Sequence, residues 1–238
     1  KTSLLTIQLN EALIAGEPER ISSLWPQFAD ILVEADGLGE FDAKRLVRLI
    51  EVFGQVAGKD RDYRNLVDQL SDFVSKRTGE VQGAVVLLNR AKQLDFDENM
   101  EMIRLLGKAA RLLSKKEHAE NLVDALLQLS VAYQSAGLLW AARASCTSAA
   151  ATLFIEGEEN GELSSTLFPT LMNAAWQAVQ LKHFPELLGM VQIARGCLNA
   201  LPLDDKSKSR AAAQLKDFDM VLACQLTNLS SEEVPRLE

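Results

Sequence analysis

An all-α chain of about eleven antiparallel helices is predicted by three observations. Apolar residues recur at helical spacing almost throughout, and no long alternating segment competes. Turn-makers are scarce, with 13 Gly and 6 Pro in 238 residues, and strand-favouring aromatics make up only 6%. The gaps between periodic segments are mostly short, which forces successive helices to lie antiparallel. With 47% hydrophobic and 24% charged residues, the composition excludes disorder, collagen-like repeats and a disulfide scaffold.

The first predicted helix spans residues 3–15 and stops at Gly16. Pro18 sits early in the second, which continues to Asp36 with a kink at Pro26 before Gly37-Leu38-Gly39 breaks it. Asp42 caps a third helix that carries Leu46, Leu49, Ile50 and Phe53. Beyond Gly58-Lys59-Asp60, a fourth presents Leu66, Leu70, Phe73 and Val74 on one face, and Gly79 separates it from a helix over 81–94. Asp97 caps the next, over 97–113, where acidic side chains in the first turn suit the positive helix end. Helices over 117–135, 138–155, 166–181, 183–200 and 204–226 follow, with a frayed tail from Ser230. A single continuous helical domain over 1–238 is expected. Its opening on Lys1 reads as a piece of a longer protein.

The net charge of −8 is uneven. Residues 1–119 hold 17 basic and 19 acidic groups, whereas 120–238 hold 8 and 14. A diffuse acidic balance disfavours non-specific attraction to nucleic acid or anionic lipid. Cys146, Cys197 and Cys224 are widely spaced in apolar helical text, which predicts reduced thiols in the cytoplasm. Two uncharged runs, 125–142 and 163–181, approach membrane-spanning length. The first holds Gln128 and Gln134, and the second holds Pro169, Asn173, Gln177 and Gln180. Such residues would lack water in a bilayer core, so helices sandwiched between helices are predicted instead.

The most informative stretch runs from Leu126 to Ala149. Leu126, Leu129 and Tyr133 line one side of a helix, and Ser130 is the small residue that lets another helix approach. Gly137 permits a tight turn, and Ala142, Cys146 and Ala149 make the thin face of a second helix. This pattern, over residues 122–156, resembles the tetratricopeptide repeat, a helix-turn-helix unit of 34 residues. A looser copy over 168–200 uses Leu171, Ala175, Ala178, Phe184, Leu187, Val191 and Ala194. The offset from Ser130 to Ala175 is 45 residues, longer than that family's period, with the excess around the acidic loop 156–162. Residues 1–119 are helical without the signature, and 120–229 are assigned to tetratricopeptide-like hairpins ahead of the tail at 230–238. The resemblance implies a right-handed α–α superhelix, a solenoid whose hairpins bury their apolar faces by stacking.

It also implies a concave groove where peptides bind. Trp176 and Met172 fall on the groove side of the looser copy, and Leu127 and Val131 take the corresponding side of the first. The lysine and asparagine set with which some family members clamp a terminal carboxylate is absent, its places being held by Leu127, Gln128 and Val131. The competing expectation for the apolar candidates is burial under a neighbouring helix. Arg104, Lys108, Arg111 and Lys115 follow i, i+4, i+7 and i+11 spacing and so share one side of one helix. The first three are the polar partner-binding candidates, toward phosphate or an acidic segment. The plain alternative is a solvated face opposite Ile103, Leu106, Ala110 and Leu113.

Other chemistry finds no support. His118, His183 and the cysteines show no metal-ligand spacing. His118 is expected in solvent, and His183 in a capping or surface role. Gly54 to Lys59 is one residue short of a phosphate-binding loop and lacks the following hydroxyl, while Gly37-Leu38-Gly39 lacks a third glycine and a preceding strand. No cofactor, metal or catalytic residue is therefore expected. The function class predicted is a non-enzymatic scaffold or sensor module that binds a protein or peptide, or another part of a longer chain, on a curved helical surface. The alternative is a regulatory or catalytic helical domain whose closed internal pocket takes a small molecule.

Overall fold

Every regular element in the described part of the molecule is an α-helix. The computed structural model describes residues 2–17, 19–21, 23–24, 26–27, 52–54, 61–95, 98–115 and 118–233. Nine helices have defined bounds among them: α1 (Thr2–Ala15), α2 (Arg61–Thr78), α3 (Glu80–Lys92), α4 (Asn99–Leu112), α5 (Ala119–Ser135), α6 (Leu139–Asn160), α7 (Leu167–Gln180), α8 (Phe184–Cys197) and α9 (Asp205–Glu233). Further helical residues occur at 19–21, 23–24, 26–27 and 52–54. Pro18, the second helix beyond residue 27, the Gly37 break, the Asp42 cap with Leu46, Leu49 and Ile50, the 58–60 turn and the Asp97 cap lie outside the described residues. The chain forms two compact units, Lys1–Asn121 and Leu122–Glu238.

In the first unit, α3 packs against both α2 and α4. Tyr63, Val67, Leu70 and Val74 form the inward stripe of α2, and Leu105, Leu106 and Ala109 that of α4. The α2–α3 contact closes at Gly83, where a Cβ would stand 1.7 Å from Ser75 Oγ and 2.7 Å from the Ser71 carbonyl oxygen. The Ser71 hydroxyl donates to the Gly83 carbonyl at 2.9 Å, so the close approach also satisfies a buried hydroxyl.

The second unit is built on small residues. Ala142, Ala149, Ala150, Ala174, Ala175, Ala178 and Ala194 are buried along α6, α7 and α8. Leu153, Leu167, Leu171, Leu187 and Val191 fill the space between them. Helix α7 packs on both α6 and α8, and α8 packs on α9. The α5–α6 and α7–α8 turns have one design. Gly137 (φ 74) and Lys182 (φ 55) are left-handed, and the following amides, Leu138 and His183, each donate 2.8 Å bonds back to Tyr133 and Ala178. These paired residues are separated by the same offset as Ser130 and Ala175.

Two helices outrun their predicted ends. Helix α6 continues through the acidic stretch to Asn160 rather than stopping at 155. Glu156, Glu158 and Glu159 tolerate helix, and Gly157 gives room to Leu163, whose Cδ2 would lie 2.6 Å from a Cβ. The helix ends instead at left-handed Gly161 (φ 74). Helix α9 reaches Glu233 rather than 226, including residues assigned to the frayed tail, because nothing before Pro235 breaks it. At its other end, Asp204 Oδ1 accepts the Ser207 amide at 2.7 Å, and the Ser207 hydroxyl, followed by this amide, lowers the Asp204 pKa.

Candidate functional site

Helix α7 buries a wide arc and leaves a narrow solvent stripe of Pro169, Asn173, Trp176 and Gln180. Trp176 stands 52% exposed on this stripe, its ring edge-on to Phe218 of α9 at 6.4 Å between centroids. Met172 falls beside the stripe and is 3% exposed among the core residues, so it offers a partner no surface. The i, i+4 spacing to Trp176 was compatible with a shared face, but the apolar arc of α7 is wide enough to take Met172 inside. On α5, Val131 is 58% exposed and Leu127 is half-buried against the core. Gln128 and Gln134 flank Val131, and Gln128 Nε2 donates to Asp124 Oδ2 at 2.8 Å.

Beneath these side chains runs a buried polar seam that sequence reasoning did not find. Gln177, 3% exposed, donates from Nε2 to Ser130 Oγ at 3.1 Å and to Gln134 Oε1 at 3.4 Å. Ser130 Oγ in turn lies 3.0 Å from Cys146 Sγ. Ser130, the small residue of the repeat-like pattern, thus joins three helices through its hydroxyl. Burial pushes the Cys146 thiol up, against the opposing bonds from Ser130 and Gln177. A raised thiol pKa lowers the thiolate fraction and with it the reactivity of the sulfur.

The basic stripe of α4 meets α2. Arg104 Nη1 contacts Asp68 Oδ2 at 2.6 Å, and its Nε and Nη2 donate to Glu101 at 2.9 and 2.8 Å. Lys108 Nζ lies 3.2 Å from Asp68 and 3.0 Å from Asp72. The Arg104 hydrogen bond, opposed in part by burial, holds the Glu101 carboxyl below its usual range. Arg104 and Lys108 are therefore interhelix contacts, because α2 supplies carboxylates at the spacing of the cations. Arg111 is exposed and makes no ion pair among the described residues. Lys115 pairs with Glu80 at 2.7 Å, and His118, expected in solvent, has a side chain only 17% exposed beside the same carboxylate.

A second cluster also escaped the sequence reading. At the joint of α6 and α8, Arg143 lies 4.5 Å over the Trp140 ring and pairs with Glu186. His183 sits edge-on to Trp140 at 5.6 Å, with Nδ1 3.0 Å from Glu186 Oε2. It occupies the N-cap position of α8 without a side-chain capping bond. The legible signal was two i, i+3 pairs, Trp140/Arg143 and His183/Glu186, at nearly the offset of the two repeat-like copies.

Among the described residues, the second unit carries clefts of about 400, 310 and 270 Å³. The first two share Gly157, Glu162 and Leu163, and the third lies among Phe168, Ser207, Arg210 and Gln214. All three open to solvent and none has the convergent enclosed polar groups of a small-molecule pocket. Among the described residues, no three His, Cys, Asp or Glu side chains gather as metal ligands, and no helix is long and apolar enough to cross a membrane. Compared with known proteins, the sequence matches no family model and no curated protein.

Proposed function

We propose that the chain is a non-enzymatic tetratricopeptide-like module that holds an extended segment of a partner protein on the face of α5, α7 and α9. The observation that carries this reading is the exposure of Trp176 and Val131, at 52% and 58%, on helices that a buried seam holds together. An exposed tryptophan on a rigid support is the usual anchor of a protein interface. Around it, Gln128, Gln134, Asn173 and Gln180 offer both donors and acceptors, which suits the alternating amides and carbonyls of a peptide backbone.

The contacts between alternate helices support a stacked superhelix. Gln177 links α7 to α5, Trp176 links α7 to α9, and Arg143–Glu186 links α6 to α8. First helices thus meet first helices, and second helices meet second helices, as in a right-handed solenoid of hairpins. Of the sequence candidates, Trp176, Val131 and Leu127 remain in this reading, with Arg111 as the remaining cation of the basic stripe. A cytoplasmic location fits the sparse thiols.

The test compares wild-type chain with the Trp176→Ala/Val131→Asn variant in affinity capture from native lysate, after circular dichroism has established equal helical content. Proteins retained by the wild type should be depleted at least tenfold by the variant, a loss of about 1.4 kcal/mol or more. Recovery of the same proteins by both would overturn the proposed surface.

A further inference from the structure

A neutral imidazole carries one proton, so a given ring nitrogen donates or accepts but does not do both. At His183, Nδ1 faces groups with opposite demands. Arg143 Nη1, a donor, lies at 3.4 Å, and Glu186 Oε2, an acceptor, lies at 3.0 Å. With Nδ1 bare, the ring accepts from Arg143, and Glu186 belongs to the guanidinium. With both ring nitrogens protonated, Nδ1 donates to Glu186 and the charge of the imidazolium repels Arg143.

The surroundings make that exchange consequential. The Arg143 side chain is only 14% exposed, and its Nε is buried without a hydrogen-bond partner. Water therefore replaces lost contacts poorly, and the guanidinium depends on Trp140, Glu186 and His183. The charged groups around the ring are Arg143 from α6, Glu186 from α8 and Lys182 from the preceding turn. One carboxylate thus faces one guanidinium, and an imidazolium would add a second cation.

We propose that His183 is a pH-operated partner exchanger at the α6–α8 joint: proton uptake from solvent moves Glu186 from Arg143 to the imidazolium and loosens Arg143 from Trp140. The inference stands on this side-chain geometry and does not depend on the peptide-binding reading.

The ring contact supplies a reporter, since an imidazolium quenches an adjacent indole more strongly than a neutral imidazole does. Emission of the full chain is recorded from pH 8 to pH 5, and the Trp140→Phe variant is subtracted to isolate Trp140. Its signal should fall along a one-proton curve while helical content stays constant. His183→Gln, which can donate or accept but does not titrate, should abolish the fall. Glu186→Gln should move its midpoint to lower pH. A flat Trp140 signal in the wild type, or the same curve in His183→Gln, would overturn the proposal. Should His183→Gln not fold, the imidazole proton resonances decide: Arg143→Met should move their midpoint to higher pH, and an unmoved midpoint overturns the exchange.

Discussion

The two units solve one problem, holding a helix against its next-but-one neighbour, with opposite chemistry. In the first, α2 and α4 meet through Arg104, Lys108, Asp68 and Asp72, all at least partly exposed. In the second, α5 and α7 meet through Gln177 and Ser130, each 3% exposed, between alanine-rich faces. Charged seams at the surface contribute little each and are screened by salt. A neutral buried seam is insensitive to salt, and its partners are costly to leave unpaired. The difference teaches that exposed charge can hold first-unit helices with ordinary side chains, while thin faces in the second bring backbones close enough for one carboxamide to span two helices.

The sharpest way to break that contrast is Gln177→Ala. It removes two donated bonds and leaves Ser130 with Cys146 alone in an apolar setting. The unit should lose about 1–3 kcal/mol, the penalty for unpairing a buried polar group. Urea unfolding followed by circular dichroism, with hydrogen exchange read on the α7 amides, measures it. The loss should be equal at low and high salt.

The thin helix faces of the second unit were legible in the sequence, whereas neither seam was, for a physical reason. Ser130, Gly137, Ala142, Cys146 and Ala149 announced a close helix pair, because small residues at helical spacing have few other uses. The all-α class followed from periodicity in the same way. Met172 was misread because an apolar residue four places from an exposed tryptophan lies on the edge of the core, and periodicity alone does not say how wide the buried arc is. The ion pairs of Arg104 and Lys108 were not legible because a basic stripe on one helix carries no sign of the acidic stripe facing it, and Asp68 lies 36 residues away from Arg104. The Trp140–Arg143–His183–Glu186 cluster was missed for the same reason, since its halves come together only when α6 and α8 meet.

Within the second unit, the two matching turns provide a finer comparison. Gly137 adopts its left-handed conformation without steric cost, whereas Lys182 at φ 55 brings its Cβ against the backbone. Lys182→Gly should stabilise by roughly 0.5–1 kcal/mol, the steric relief being partly offset by the freer unfolded chain. Thermal unfolding checks the direction, and Gly137→Lys should give the reverse sign. Equal stability in wild type and both variants would mean that the left-handed residue is not what distinguishes the two turns.

The smallest expected effect tests the charged seam. Asp68→Asn removes the carboxylate shared by Arg104 and Lys108, but both cations keep another acidic partner, Glu101 and Asp72 respectively. Those groups are partly exposed, so the loss should stay below about 1 kcal/mol at low salt and shrink toward nothing near 1 M. Acid should act on the same seam. Glu101 has a lower pKa folded than unfolded, so the folded state binds fewer protons. Its contribution is present above the ordinary value of 4.5 and is lost as pH falls through the lower folded value. Glu101→Gln should flatten that acid limb in the hydrogen exchange of α4 while leaving α7 unchanged. An acid limb of the same slope in wild type and variant would show that the stability of the first unit does not depend on this carboxylate.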